Sequence, residues 1–570
     1  MSIIGLKKAN CKNCYKCVKV CPVKSIKVVD EQAQIIDKDC ILCGRCLSEC
    51  PQNAKTMASD VDKVKDFILS GKRVVLSLAP SYFGSFDFET PEKLVGAMKN
   101  LGFWGVGETS EGAAYVTAEY HKLLKNQAAD NIITTCCPVI NDLVEKFYQG
   151  MMPYMAPVIT PMIAHGRLMK ETYGSDIKVV FAGPCIAKKG EKDDIRHDTQ
   201  VDAVLTFAEL AQWLDEEKIV IDEQQEQEMI GCDSEILRLY PLSGGILKTL
   251  KSYGDVSGYD LISVDGIEDC KELFESIRAG KVKKCFIEIN ACVGGCVNGP
   301  ARLKKGHSRF EAKLEIEKYV KKKGSNYPEL SHEIPMAKCF VERSNEYSIP
   351  DETTIRSILA KIGKETPEQE LNCGSCGYPS CRAKAIAVYQ GKAELTMCMP
   401  FIKERAESLS NYVLSETPNI TIIVDNDLNI VEFNHAAEKK FNLTRREALQ
   451  KCLYELIDTS DFQFVFETKE SIHDKKVTYE EYNMTTLQDI IYIADNNFVM
   501  GIFKDITAEE QAKANMYKLR VDTVEMAQKV IEKQMIAAQQ IASLLGETTA
   551  ETKVTLTKLK NMIVYNGDEL

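Results

Sequence analysis

The sequence predicts a multidomain chain, α/β through its centre and α+β toward its C-terminal third, closing in a long helix. Three observations carry that prediction. At 570 residues and 45% hydrophobic composition the chain can bury several cores, because single cores stop growing at roughly 250–300 residues. Its 22 cysteines are concentrated in separate groups along the chain rather than spread evenly. The hydrophobic pattern also changes along the chain, from strand-then-turn segments, through a run of short strands and helices, to a heptad-like seam.

Charge and hydropathy exclude some partners. A net charge of -12 argues against nucleic acid or an anionic membrane as the main partner, since both reward a basic surface. The opening MSIIGLKKANCKNC has no apolar export core, and no later stretch gives a spanning run of uncharged apolar residues. The expectation is a cytoplasmic protein that binds neither membrane nor nucleic acid. Thiols stay reduced there, so the cysteines are read as metal ligands rather than disulfides.

Residues 1–58 are the first element. Cys11, Cys14, Cys17 and Cys21 precede Pro22, and Cys40, Cys43, Cys46 and Cys50 precede Pro51. This doubled C-x2-C-x2-C-x3-C-P is the bacterial two-cluster ferredoxin spacing, in which the fourth cysteine of each run crosses to the other cluster. One 4Fe-4S cluster is therefore assigned to Cys11, Cys14, Cys17 and Cys50, and the second to Cys40, Cys43, Cys46 and Cys21. Zinc is the alternative, but a site filled by four ligands has no use for a doubled pattern.

Residues 59–345 hold three cysteine loops, each behind a β-branched segment. They are DNIITTCCP with Cys136 and Cys137, IKVVFAGPC with Cys185, and KKCFIEINACVGGC with Cys292 and Cys296. A lone C-x3-C such as Cys292 to Cys296 fits neither a zinc ribbon nor a ferredoxin loop. Strand ends converging on one crevice of an open α/β sheet would supply the missing ligands.

In this order, behind a two-cluster ferredoxin pattern, TTCCP, GPCIAKKGE and EINACVGGCVNG resemble the three signature segments of the iron-only (di-iron) hydrogenases, over roughly residues 1–310. The resemblance implies a two-lobed α/β domain in which Cys137, Cys185, Cys292 and Cys296 hold a 4Fe-4S cluster. Cys296 would also bridge to a di-iron subsite with carbon monoxide, cyanide and dithiolate ligands, completing the H-cluster. It further implies that Lys188 offers its charge to a cyanide, that Ala79, Pro80 and Ser81 pack around the subsite, and that Cys136 passes protons to it. A spare buried cysteine is the alternative for Cys136. Gly294 and Gly295 would let backbone approach a bulky cluster.

The departures from the family pattern are specific. Tyr120 and Leu123 stand where relay glutamates are expected, and Ala156 stands at a relay serine. Glu191, on the AKKGE turn, is the candidate substitute carboxylate. Gly183 and Asn290 replace methionines that would pack on the cluster, and the third segment's glycine-rich tail is cut to GPAR. Positioned proton transfer contributes roughly 10²–10⁴-fold in rate, so turnover is expected to be low.

Residues 346–405 carry Cys373, Cys376, Cys381 and Cys398, spaced for zinc or one 4Fe-4S cluster. Their spacing and the intervening AKAIAVYQGKAEL resemble the small 4Fe-4S domain of corrinoid proteins and some hydrogenases. Residues 406–508 run ββ, short helices, βββ and a closing Asp-Ile-Thr, an order that resembles a PAS sensor domain; a plain α+β domain is the alternative. His435 and Cys452 within it are read as core or surface residues.

Residues 509–570 are expected to be helical to about 545. Val521, Val524, Gln528, Ile531, Met535, Ala538, Ala542 and Leu545 alternate steps of three and four, which suits a parallel homodimer or a helix folded onto its own domain. The last histidine is His473, so this helix offers no phosphoacceptor histidine and output must pass to a kinase or phosphatase in trans. Cys232, Cys270, Cys285, Cys339 and Cys452 stand alone and are read as buried thiols.

The expected function is a sensory hydrogenase that slowly interconverts hydrogen with protons and electrons. Three accessory 4Fe-4S clusters would relay the electrons, with a ferredoxin-like carrier as exchange partner. The alternatives are a non-catalytic iron-sulfur relay lacking the di-iron subsite, as in the hydrogenase-like cluster-assembly proteins, and a fast ferredoxin-linked hydrogenase.

Overall fold

The computed structural model describes residues 2–127, 129–197, 199–231, 235–303, 307–323, 327–494, 496–543 and 550–565. They fall into two compact units, Met1–Phe401 and Ile402–Leu570.

The first unit opens with a small ferredoxin-like module. Strand β1 (Ile4–Leu6) pairs antiparallel with β4 (Lys55–Met57), bringing the ends of the module together. Between them β2 (Ile26–Val29) and β3 (Gln32–Ile35) form a hairpin whose two turn residues, Asp30 and Glu31, both have positive φ. That backbone twist matches the strands it joins. Each cysteine run ends in a short helix, Lys16–Val20 or Arg45–Ser48.

Two parallel sheets follow, not one. The first has β5 (Val74–Leu78), β6 (Gly105–Glu108), β8 (Lys178–Gly183) and β9 (Ala203–Thr206) in the order β6-β5-β8-β9. The second has β7 (Asn131–Ile133), β10 (Asp260–Asp265) and β11 (Cys285–Asn290) in the order β10-β11-β7. All their pairings are parallel. Helices such as Ser110–Lys125 and Pro161–Tyr173 cover the first sheet, and Pro138–Phe147 and Ile267–Arg278 cover the second. Parallel strands covered on both faces read as near-continuous apolar runs, which is what VVLSL shows, and CFIEIN is buried throughout although it carries Glu288 and Asn290. The expectation of one crevice in one sheet is thus corrected: the cysteine loops come from both sheets.

The small cysteine domain that closes this unit contains helices Glu352–Ala360 and Cys381–Tyr389. Their first turns are capped by Asp351 Oδ1 accepting from Thr354 N at 2.9 Å and by Ser380 Oγ accepting from Ala383 N at 3.0 Å. Such caps satisfy backbone donors that the helix leaves unpaired.

In the second unit β12 (Ile420–Val424), β13 (Ile430–Phe433), β14 (Ile472–Tyr479), β15 (Met484–Ile493) and β16 (Phe498–Asp505) form one antiparallel sheet ordered β13-β12-β16-β15-β14. Its core gathers Phe433, Phe462 and Phe503. Gly501 is required, since a Cβ there would stand 2.6 Å from the Phe462 ring. Asp505 Oδ1 accepts from Thr507 N at 2.9 Å and Thr507 Oγ1 accepts from Thr485 N at 2.8 Å, so Asp-Ile-Thr pins the next helix to β15. That helix runs Thr507–Ala542 and a second, Ala550–Tyr565, follows. Along the heptad-like seam Val524, Ile531 and Met535 are half-buried, and Val521, Gln528 and Ala538 are exposed. The Ala542 side chain and Leu545 lie outside the described residues.

The lone cysteines divide. Cys270 and Cys285 are buried as expected. Cys339 is exposed, because it lies on an irregular surface segment, and Cys452 is half-buried, its Sγ donating to Asn429 Oδ1 at 3.1 Å. Cys232 lies outside the described residues. His435 is exposed and bonds Glu438 at 2.9 Å. Among the described residues no helix is long and apolar enough to cross a membrane.

Candidate metal centre

Parallel pairing sets the site, because every strand of a parallel sheet ends on the same edge. Ala79 follows β5, Cys136 and Cys137 follow β7, Cys185 follows β8, and Cys292 follows β11. Thr134 N donates to Ile287 O at 2.9 Å and Ile289 N to Thr134 Oγ1 at 3.2 Å, which holds the Cys136–Cys137 loop against β11. Cys137 then stands immediately before helix Pro138–Phe147, with the proline at the first helical position where its missing N–H costs nothing.

The four cysteines Cys137, Cys185, Cys292 and Cys296 are mutual electrostatic neighbours. Burial pushes the Cys185 thiol up to about 11 and lifts Cys137, Cys292 and Cys296 as well. Cys137, Cys185 and Cys292 are half-buried and Cys296 reaches the surface, yet the protein around all four makes their thiols costly to ionise unless a metal centre takes the charge, and thiolates bound to metal are deprotonated outright. Gly295 (φ +89) lies on the segment 239–245, where a Cβ would stand 2.3 Å from Pro241 O. Among the described residues no three Cys, His, Asp or Glu side chains gather around the position of a single ion.

Beside these cysteines lies a small cavity of about 90 Å³. Ala79, Pro80, Ser81, Cys136, Cys185, Lys188 and Cys296 all line it. Ser81 is buried with its hydroxyl lacking any protein partner. Roughly 10–15 Å³ of such space holds one water, so the cavity takes a group of several heavy atoms. The donor set, the cradle and the orphan hydroxyl all fit a cluster carrying a compact polar subsite.

Lys188 and Glu191 form a buried ion pair at 2.6 Å. Burial opposes the charge on each, but Glu191 holds the Lys188 ammonium above its ordinary value and Lys188 holds the Glu191 carboxyl below its own. The pair spans two spaces. Lys188 faces the small cavity, and Glu191 faces a wider hollow shared with His197 and Lys338.

Cys136 is pushed up to about 12, chiefly by burial. Its Sγ lies 3.3 Å from Tyr120 Oη, which accepts from Thr135 N at 3.0 Å. Burial lifts the Tyr120 phenol well above its ordinary value too. Leu123 and Ala156 share a separate hollow with Met152 and Tyr154. Residue pattern alone missed Glu288. Buried within β11, it is pushed up to about 7 by burial, accepts from Gly244 N at 2.8 Å and Leu247 N at 3.1 Å, and bears electrostatically on Cys136. A charged residue inside an otherwise apolar buried strand is the signal that could have found it.

The other cysteines group as follows. Cys43 and Cys46 neighbour Cys21 and Cys40, and Cys43 also bears on Cys292. Gly44 seats this loop against the centre, where a Cβ would meet Ile186 and Pro300 at 2.7 Å. Cys17 neighbours Cys11 and Cys14. Cys50 Sγ accepts from Ala54 N at 3.3 Å and shares Lys55 as a neighbour with Cys17. In the small domain Cys376, Cys381 and Cys398 surround the buried Lys384, whose Nζ donates to Leu395 O at 2.9 Å. Cys373 is exposed.

A family model described as the iron only hydrogenase large subunit, C-terminal domain, matches residues 72–300. Residues 72–300 thus form a domain of the iron-only hydrogenase type. Flanking the hydrogenase domain, a 4Fe-4S dicluster model matches residues 3–51, an Fe-S cluster model 369–400 and a PAS fold model 411–491. Iron hydrogenase 1 of Clostridium pasteurianum is 25% identical over 381 residues, 49% of this chain and 66% of that one. The chain therefore spans just under two thirds of that relative's length. The cytosolic Fe-S cluster assembly factor narfl of Danio rerio is also 25% identical, over 45% of this chain and 79% of its own. A solved variant of the [FeFe]-hydrogenase HydA1 from Chlamydomonas reinhardtii is 18% identical with a TM-score of 0.43, covering 50% of this chain and 100% of that one.

Proposed function

We propose that this hydrogenase-family chain is a hydrogen sensor. It interconverts hydrogen with protons and electrons slowly and reversibly, and passes the result through its PAS domain to a separate kinase or phosphatase. The observation that carries this reading is the shared cavity: Cys136, Lys188 and Cys296 face it together with Ala79, Pro80 and the orphan Ser81 hydroxyl. A plain 4Fe-4S site needs neither Cys136 nor Lys188. When bound, the H-cluster supplies the hydrogen-splitting chemistry. Cys137, Cys185, Cys292 and Cys296 would hold it, Lys188 would place a positive charge against its anionic ligands, and Cys136 would carry a proton at its Sγ.

Low turnover follows from what lies beyond Cys136. Its bonded neighbour is a phenol that stays protonated near neutral pH, whereas a carboxylate there would accept the proton. Electrons would leave through three accessory 4Fe-4S clusters and reach a ferredoxin-like carrier. We assign the domains 1–58, 59–345, 346–405, 406–508 and 509–570, place the chain in the cytoplasm, and assign its C-terminal helix to a homodimer.

The second reading is a non-catalytic iron-sulfur relay without the di-iron subsite, favoured by similarity to narfl over 79% of that protein. An infrared spectrum of the matured protein under hydrogen and then argon separates the two. Carbon monoxide and cyanide bands that shift reversibly with hydrogen are expected. Their absence after competent maturation, with iron-sulfur signals intact, refutes the hydrogenase reading and leaves the relay.

A further inference from the structure

The small cysteine domain docks on the ferredoxin-like module through the loop that carries Cys376. Gly377 (φ +87) sits so close to helix Lys16–Val20 that a Cβ there would stand 2.9 Å from Lys19 N and 3.0 Å from Val18 Cβ. Lys24 Nζ clamps the junction, donating to Gly377 O and Val18 O at 2.9 Å each and to Lys19 O at 3.0 Å. Val28 N to Lys392 O at 3.0 Å and Asp30 N to Glu394 Oε1 at 2.8 Å extend the contact along the β2–β3 hairpin. The clamped helix joins Cys17 to Cys21, which the ferredoxin spacing gives to different clusters.

Tyr378 lies in this junction. It is 4% exposed and packs in one apolar core with Cys21 and Val18 of the ferredoxin-like module and Met397 of its own domain. Its hydroxyl has no partner in the protein. The ionisable groups that bear on it are Cys376 and Cys21. Leaving a buried hydroxyl unsatisfied costs about 1–3 kcal/mol, so such a group is expected to meet a partner that the polypeptide does not supply. Sulfur of a cluster bound at Cys376 or at Cys21 is the acceptor chemistry available there, and of the two Cys21 is the one buried in the same core as Tyr378. Hydrogen bonds to sulfur are one way in which a protein sets a cluster's potential.

We propose that Tyr378 is the junction between two clusters. Its hydroxyl donates to a sulfur of the second ferredoxin cluster, held by Cys21, Cys40, Cys43 and Cys46, and that cluster exchanges electrons directly with the one held by Cys373, Cys376, Cys381 and Cys398. The second ferredoxin cluster then has three neighbours. Cys43 faces Cys292 of the hydrogenase centre, Cys21 faces Tyr378, and Cys17 leads to the first ferredoxin cluster. In the step itself the second ferredoxin cluster loses one electron and the C-terminal cluster gains it, with no proton or ligand moving. Hydrogen is the ultimate reductant only on the reading given above, on which this role rests for its electron source. The first ferredoxin cluster stays free for an external carrier while the C-terminal cluster, whose Cys398 directly precedes helix Met399–Glu416, records the redox state.

The test uses the full chain with its iron-sulfur clusters assembled, poised by chemical reductant and mediators under argon without hydrogen. Failure here therefore leaves the hydrogenase reading standing, and failure of the infrared test leaves this one standing. Tyr378→Phe removes only the hydroxyl. It is expected to move the midpoint of the second ferredoxin cluster to more negative potential, by roughly a tenfold drop in its reduced-to-oxidised ratio, about 59 mV for one electron. The shift should persist when Cys398→Ser removes the C-terminal cluster. In the unaltered protein, paramagnetic resonance should show fast relaxation of the second ferredoxin cluster that slows in Cys398→Ser. Unchanged midpoints in Tyr378→Phe, a shift confined to the C-terminal cluster, or relaxation indifferent to Cys398→Ser would each overturn the proposal. The relaxation measurement decides the matter if Tyr378→Phe assembles poorly.

Discussion

Replacing Tyr120 by phenylalanine and by glutamate asks whether its phenol is a link in a proton route or the end of one. The hydroxyl lies 3.3 Å from Cys136 Sγ and accepts from Thr135 N at 3.0 Å. Even at its ordinary value of about 10 a tyrosine ionises near one part in a thousand at neutral pH, and burial pushes Tyr120 well above that. A group that carries no proton supplies none of the roughly 10²–10⁴-fold that positioned transfer is worth, so Tyr120→Phe should leave turnover within about twofold. It strands Thr135 N, at a cost of about 1–3 kcal/mol in stability. Tyr120→Glu loses an edge-on ring contact with Phe286, centroids 5.5 Å apart, but places a carboxyl beside Cys136. Burial lifts such a carboxyl toward neutrality, where a relay works best, and turnover should rise by roughly 10- to 100-fold. The assay is hydrogen evolution from a reduced dye, normalised to the carbonyl infrared absorbance so that cofactor occupancy cancels. A fall of roughly tenfold in Tyr120→Phe, or no gain in a fully occupied Tyr120→Glu, refutes the argument.

Three further outcomes follow from buried charge and from the exposed helix. Lys188→Ala leaves Glu191 buried without its 2.6 Å partner and should cost about 3–5 kcal/mol in denaturant unfolding, while Lys188→Ala with Glu191→Ala should cost less than the sum of the singles; additive losses would show the two are not coupled. Glu288 is raised from 4.5 to about 7, so between those values the folded state holds a proton that the unfolded chain has lost. Stability is therefore greatest below that window and falls as pH rises through it, by on the order of 3 kcal/mol, a slope that Glu288→Gln should flatten in urea midpoints measured across it. Sedimentation of the full chain should give a dimer that Ile531→Lys dissociates, and a monomer in both would assign the half-buried seam to contacts within one chain.

What the sequence discloses and what it conceals divide by range. The cysteine runs, the strand-then-loop segments and the ββ-helix-βββ order are local patterns, and local spacing already specifies the chemistry or the pairing they need. The split into two sheets is not local. β7 leaves the first sheet's sequence neighbourhood to pair with β11, whose partner residues lie about 150 positions away. Tyr120 could be read as a missing glutamate, but not as the partner of Cys136, because that bond joins a helix to a loop after the next strand. Cys339 reads as one more apolar cysteine, and only the irregular path of its segment exposes it. Tyr378 gives no sign at all in sequence, since its meaning comes from the Cys21 it packs against.

A slow centre is not a poor sensor, and the magnitudes show why. A hydrogenase working near 10³ turnovers per second and losing roughly 10²–10⁴-fold in proton transfer would still turn over at about 0.1–10 s⁻¹. Within about a minute even at the slowest of those rates the clusters reach equilibrium with hydrogen, and their reduced fraction then depends on potential rather than flux. Fast exchange would add consumption of the gas being measured and nothing to that fraction. On the proposed reading a phenol in place of a carboxylate at position 120 leaves proton exchange slow while Cys136, Lys188 and Cys296 keep the centre itself intact. Selection for sensing would then act on the potentials of the accessory clusters, which is where the orphan hydroxyl of Tyr378 lies.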